Sequence, residues 1–328
     1  MARFAFMLGM WVPVWFSLSA SASPALTAPE WRAEWPHTDF AKHTIDLSEI
    51  RSGGPPKDGI PSIDNPQFRP VGEVSDLAAS EPVITLSVQN DTRAYPLRIL
   101  IWHEIVNDTV GGLPVAVTYC PLCNTAIAFE RRVEGRVLDF GTTGKLRHSD
   151  LVMYDRQTES WWQQYSGTAI VGQLAGLELE MLPVRVEAFE RFVRQHPQGR
   201  VLVPRNPSSR PYGANPYVGY DGSRLPFLYD GSLPEGIAPM AYVVAVGNEA
   251  WSLDLLREKA RIETGDLELT WEPGQNSALD DRLISKGRDI GNVTVRRRSA
   301  DGLVEVPHHV TFAFVFHAFQ PEGRLHVE

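Results

Sequence analysis

One stretch of this chain occurs twice. Setting Pro183 against Pro307 brings Val186 onto Val310, Phe192 onto Phe316 and Pro197 onto Pro321. The same shift places Gly199 on Gly323, Arg200 on Arg324 and Val203 on Val327, seven identities without a gap. Prolines and glycines mark where a chain must turn, so two segments that share them share element boundaries. An earlier pair of passages matches more loosely. Val83-Ile84-Thr85-Leu86-Ser87-Val88 leads through Asn90-Asp91 into Ala94-Tyr95-Pro96-Leu97, and Val243-Val244-Ala245-Val246 leads through Gly247-Asn248 into Ala250-Trp251-Ser252-Leu253. Both read as a β-branched strand, a polar turn and a helix start, with Pro96 suited to a first helical position and Ser252 to an N-cap. The offset falls from 156 (250 minus 94) to 124 (307 minus 183), so the second copy is 32 residues shorter inside.

The expected fold is therefore α+β, mainly antiparallel β with short helices, in two unequal internal repeats packed as one body. Residues 81–203 form the first repeat and 242–328 the second. The 204–241 connection, rich in Pro, Gly and Tyr, is expected to be a long irregular loop. Residues 23–80 read as an N-terminal arm over the body. Val310 to Phe319 alone resembles a buried strand, but its counterpart Glu187 to Arg194 has helical spacing, so both are predicted helical. Leu113 to Tyr119 and Ala126 to Arg131 are predicted strands flanking Cys120-Pro121-Leu122-Cys123.

Residues 1–22 carry the pattern of a cleaved secretory signal: Arg3, an apolar run from Phe4 to Leu18 broken by Ser17, then Ala20-Ser21-Ala22. The location expected is periplasmic or secreted, with no membrane attachment after cleavage. The chain has 31 basic and 40 acidic residues. Losing Arg3 with the signal leaves 30 minus 40, a net charge of −10, which excludes nucleic acid as an expected partner. A small-molecule or protein partner stays unassigned. About 300 residues suffice for a real core, so a cysteine pair is not needed to staple the fold.

Four runs together carry a family resemblance: Asp58-Gly59-Ile60-Pro61, Trp102-His103-Glu104-Ile105-Val106-Asn107-Asp108, Thr118-Tyr119-Cys120-Pro121-Leu122-Cys123 and Leu151-Val152-Met153-Tyr154-Asp155-Arg156-Gln157-Thr158. The chain resembles the bacterial domain-of-unknown-function family numbered 3179 over nearly all of its mature length. That resemblance implies no particular activity. The second half departs from the family pattern, with Glu263-Thr264-Gly265-Asp266 and Asp280-Asp281 where a double-glycine turn and an Arg-x-x-Asp-Gly hairpin are expected.

The second repeat holds no cysteine, so the scaffold does not require the pair. Three readings stay open. The thiolates bind a soft or borderline metal, copper or zinc, with His103 and His148 as the nearest further ligands. Alternatively the pair is a thiol–disulfide oxidoreductase centre, although such centres usually set the first Cys at a helix N-terminus. Or it is an inert disulfide in a non-catalytic module that binds a ligand or partner. Glu104, Asp108, Asp150 and Asp155 are candidate acid–base or supporting carboxylates. Glu104 and Asp108, four apart, would share one face of a helix, where a solvated face or turn cap is the plainer role. Trp102, Trp161, Trp162, Tyr212 and Tyr217 are candidate cleft residues, with core packing the plainer role for the tryptophans. His308, His309 and His317 fall in the second repeat's predicted helix. No Ser-His-Asp, phosphate-loop or dinucleotide signature occurs.

Overall fold

A proline and a serine turn corresponding corners of this fold. In the computed structural model, which describes residues 31–300 and 302–328, strand Pro82–Val88 pairs with strand Asp91–Pro96. That strand runs straight into helix Leu97–His103. Pro96 is the N-cap, at φ −62° and ψ 132°, one place before the first helical position expected for it. Its missing N–H costs nothing there. Strand Tyr242–Val246, strand Glu249–Ser252 and helix Leu253–Lys259 follow the same course. Here the Ser252 hydroxyl accepts a hydrogen bond from the Leu255 N–H at 3.2 Å. The expected signal sequence, residues 1–22, lies outside the described residues.

Mostly antiparallel strands form five sheets of four or five strands in a propeller-like arrangement, with 14% helix. One sheet runs Arg185–Ala188, Pro82–Val88, Asp91–Pro96, Arg200–Val203, Gln67–Pro70. Another runs His309–Phe312, Tyr242–Val246, Glu249–Ser252, Arg324–His326, matching the first four strands of that order, with the corresponding last two strands again parallel. The five sheets, and not clearly two unequal halves, are the units of the body, which corrects the expectation. The physical reason lies in the N-terminal residues. Strands Ile50–Ser52 and Gln67–Pro70 each add an edge to a sheet of the first half, so that half is not closed by its own strands. Trp31, Trp35 and Phe40 also pack their rings around Trp161 at centroid distances of 5.2, 5.2 and 5.3 Å.

The two matched segments combine both periodicities read from them. Arg185–Ala188 and His309–Phe312 are strands, and each passes directly into a seven-residue helix, Phe189–Gln195 or Ala313–Phe319. Glu187, Ala188 and Val310 to Phe312 are thus extended, correcting the helical prediction at its N-terminal end. Their backbone groups are taken by the neighbouring strands Pro82–Val88 and Tyr242–Val246. Among the described residues, no helix is long and apolar enough to cross a membrane.

Cys120 ends strand Leu113–Cys120, in a sheet with Met181–Leu182, Thr125–Glu130 and Ile105–Val110, and Cys123 lies in the turn that follows. Strand His309–Phe312 lies against Thr125–Glu130, and Phe140–Arg147 lies against Ile105–Val110. Val115, Ala116 and Val117 are consequently all fully buried, although they point alternately to opposite faces.

Glu104 and Asp108 do not share a helix face. Glu104 ends the helix as its C-cap, and Asp108 lies in the next strand, Ile105–Val110. Nor is Asp108 solvated. It is buried, bonded to Arg93 Nη1 at 2.7 Å and to the Tyr95 hydroxyl at 2.6 Å. Removing one member of a buried ion pair strands the other charge. Asp108→Ala is expected to cost about 3 kcal/mol, the low end for a buried pair, because Arg93 keeps Asp91 as a partner. Urea unfolding at neutral pH measures that loss.

Candidate metal centre

The Cys-Pro-Leu-Cys turn is held from both sides. The Cys123 N–H donates to Cys120 O at 3.3 Å, and Asn124, at φ 52°, closes the turn with its N–H on Pro121 O at 3.3 Å. Asparagine tolerates that left-handed backbone better than most side chains. From the neighbouring sheet, the Thr311 hydroxyl donates to Cys123 O at 2.7 Å, and Asn124 Nδ2 donates to Val310 O at 3.0 Å. Behind the turn, Gln164 accepts from the Thr125 hydroxyl and donates to Thr118 Oγ1, at 2.7 and 2.9 Å. No helix begins at either cysteine: strand Thr125–Glu130 follows, as its sequence predicted.

Asp150 reaches the same place from a hairpin. Arg147 pairs with Asp150 across a two-residue loop, and both loop residues, His148 (φ 53°) and Ser149 (φ 68°), are left-handed. Such loops favour Asn-Gly, so His-Ser here holds backbone strain. Ser149 is anchored by its hydroxyl on Phe227 O at 2.6 Å. The strand that follows begins with Asp150 turned inward. Its Oδ2 accepts from Gln163 Nε2 at 2.6 Å and from the Tyr165 N–H at 2.9 Å, while Oδ1 accepts from no N–H or O–H group.

One donor atom each of Cys120, Cys123 and Asp150 lie within 4.8 Å of one another, and all three residues are buried. Both cysteines are free thiols. Burial pushes the Cys120 thiol up, and it pushes Cys123 further, with Cys120 adding to the effect. Burial also lifts Asp150 to about 6, against the pull of Gln163, the Tyr165 N–H and the thiols. Glu104, nearby, is raised to about 8 by burial and then by the Asp150 charge. Negative charge is therefore suppressed in a place where four groups can carry it. Two sulfurs and a carboxylate suit zinc or copper better than magnesium or calcium. A tetrahedral zinc site needs donors roughly 3.3–3.8 Å apart, so the set closes around an ion with small side-chain movements.

The two histidines named from the sequence stand apart from this cluster. His103 Nδ1 bonds Pro61 O at 2.7 Å and its Nε2 bonds the Tyr212 hydroxyl at 2.8 Å, beside a separate cleft of ≈ 330 Å³. His148 Nε2 lies 3.2 Å from Glu49 Oε2. Asp155 pins its own hairpin through Thr158 and accepts from Trp162 Nε1 at 2.9 Å. Trp161 and Trp162 are fully buried in the core, and Trp102 is half-buried against it. His308 and His309 are buried, His309 stacked on Tyr165 at 4.3 Å, whereas His317 bonds Ser232 on the outside. The sequence reading passed over Ser149 and the run Gln163-Gln164-Tyr165. Two amides inside an otherwise apolar stretch were the available signal, because a buried amide needs named partners.

Beside the cluster opens a cavity of ≈ 480 Å³. Glu104, Leu122 and Leu151 form part of its wall, and the 204–241 loop supplies Tyr217, Tyr220 and Phe227. No curated protein and no solved structure matches the chain. A family model described as a protein of unknown function, DUF3179, matches residues 57–323, most of the chain, and the chain belongs to that family.

Proposed function

We propose that this protein binds one transition-metal ion, zinc or copper, through Cys120 Sγ, Cys123 Sγ and the Asp150 carboxylate. One observation carries the reading: three buried donors within 4.8 Å of one another, one of them a carboxylate whose second oxygen accepts from no N–H or O–H group. A buried oxygen met only by weak S–H donors is under-satisfied unless a cation coordinates it. Three protein ligands leave a fourth position for water or a small ligand, the pattern of an open rather than a structural site. The N-terminal sequence supports a periplasmic or secreted setting. The shared strand order of two sheets supports reading residues 81–203 and 242–328 as unequal copies, only the first of which carries the site.

The test is metal content by mass spectrometry on the purified mature chain. About one equivalent of zinc or copper is expected, falling to background in Cys120→Ser and well below one equivalent in Asp150→Asn. A metal-free wild type that takes up neither ion on dialysis would exclude the reading.

Dithiol redox chemistry is the second reading, favoured by two free thiols in contact range in a chain that carries an export signature. Against it stand the absence of a helix at either cysteine and the raised thiols, since the thiolate is the reactive form. Thiol counts before and after equilibration with glutathione separate the two: a redox pair exchanges, and a metal-bound pair is protected.

A further inference from the structure

Glu104 is built into this protein in a way that its neighbours do not explain. It follows helix Leu97–His103 with φ 57° and ψ −33°, a strained backbone for a side chain of this kind. That kink turns the residue into the interior, where it is 7% exposed. Its carboxyl forms no hydrogen bond or ion pair with any described residue. Its backbone, by contrast, is fully used: the N–H donates to Leu100 O at 2.7 Å and the carbonyl accepts from the Tyr119 N–H at 2.8 Å. A buried carboxyl held in place on both sides and left without a partner normally costs stability and is removed.

This carboxyl faces the ≈ 480 Å³ cavity, a volume typical of a small-molecule site. Tyr217, Tyr220 and Phe227 line the same cavity. The Tyr220 hydroxyl is already committed, donating to Leu122 O at 3.1 Å and accepting from the Phe227 N–H at 3.2 Å, which fixes that ring as a wall. Lys145 also borders the cavity, but its ammonium is held by Glu34 at 3.0 Å and does not neutralise Glu104. A single carboxyl in a mainly apolar chamber that three aromatic residues also line has the two elements that recognise an organic cation. The carboxyl supplies the counter-charge once an ammonium beside it favours its ionised form, and aromatic rings attract a cation through their quadrupoles.

We infer that the cavity is a binding site for an apolar organic amine, whose ammonium group pairs with Glu104 among Tyr217, Tyr220 and Phe227. The site goes beyond the metal reading and does not depend on it. The amine fills the place of the missing partner of Glu104, and its apolar body displaces water from Leu122 and Leu151.

The experiment compares three probes of one shape by titration calorimetry: adamantylamine, adamantanol and adamantane carboxylate. Wild type is expected to bind the amine about 10- to 100-fold more tightly than the alcohol, the range for a hydrogen bond gaining full charge, and the carboxylate least. Glu104→Gln is expected to abolish the preference. Val218→Trp, at an exposed residue of the cavity wall, is expected to weaken all binding by narrowing the chamber, with little risk to folding. Cys120→Ser is expected to keep the preference, which separates this site from the metal centre. Equal affinity for amine and alcohol, a preference that survives Glu104→Gln, insensitivity to Val218→Trp, or loss of the preference in Cys120→Ser would each overturn the inference.

Discussion

Lowering the pH from 7 to 6 is expected to weaken zinc binding by about 100-fold, because two protons must leave for each ion bound. Both thiols sit above their ordinary range through burial, so across this window the metal-free site holds both protons. A thiolate is the ligand, and each displaced proton contributes a tenfold change in apparent affinity per pH unit. Asp150 adds a third proton only below about 6, where its carboxyl begins to protonate. The slope therefore steepens from two to three near that pH. Competition with a chromophoric chelator at several pH values reads both slopes directly. Asp150→Asn is expected to weaken binding and to keep a slope of two throughout. A slope of one or less in wild type would mean that the cysteine sulfurs are not both ligands.

The cysteine turn was legible because its signal is local: a Cys-x-x-Cys between two β-rich runs predicts a tight turn between paired strands, and Leu113–Cys120 and Thr125–Glu130 are those strands. The third donor was visible only as one of four carboxylates. What selects Asp150 is the register of a hairpin, with Arg147 opposite Asp150, and a shift of one residue would have turned it to the other face. The same register carries His148 toward Glu49 and away from the thiols. The helix-period reading of Val310 to Phe312 failed where strand pairing overrode local spacing. Glu104 and Asp108 were misplaced because Ile105 to Val110 joins a sheet directly after the helix, a tertiary pairing that no spacing of four residues encodes. The chamber was legible only as a long Tyr- and Pro-rich loop, since its other wall comes from residues 53–60, 104 and 142–151.

Between pH 6.5 and 8, metal-free wild type is expected to lose about 2 kcal/mol of stability relative to Glu104→Gln. An unfolded chain gives up the Glu104 proton near 4.5, whereas the folded chain keeps it to about 8. Between those values the folded state binds more protons, so its stability drops by about 1.4 kcal/mol for each unit of rising pH. The contribution is complete below 4.5 and spent above 8. Other groups restrict where this is visible. Asp150 acts in the same direction but only up to about 6. His309, lowered by burial to about 3, acts in the opposite direction up to its unfolded value of 6.5. The buried thiols keep their protons in both states until the unfolded cysteines titrate near 9. His103, His148, His196 and His308, also lowered by burial, act with His309, so the Glu104 contribution is read as the difference between wild type and Glu104→Gln. Urea unfolding at three pH values in that window, with a chelator present, gives the slope. A bound amine cancels it, because an ammonium beside Glu104 stabilises the ionised form that burial penalises. The stability profile and the titration of adamantylamine thus interrogate one carboxyl by independent means. A flat difference between wild type and Glu104→Gln would mean that burial does not hold the Glu104 proton, and a bound amine would then have no slope to cancel.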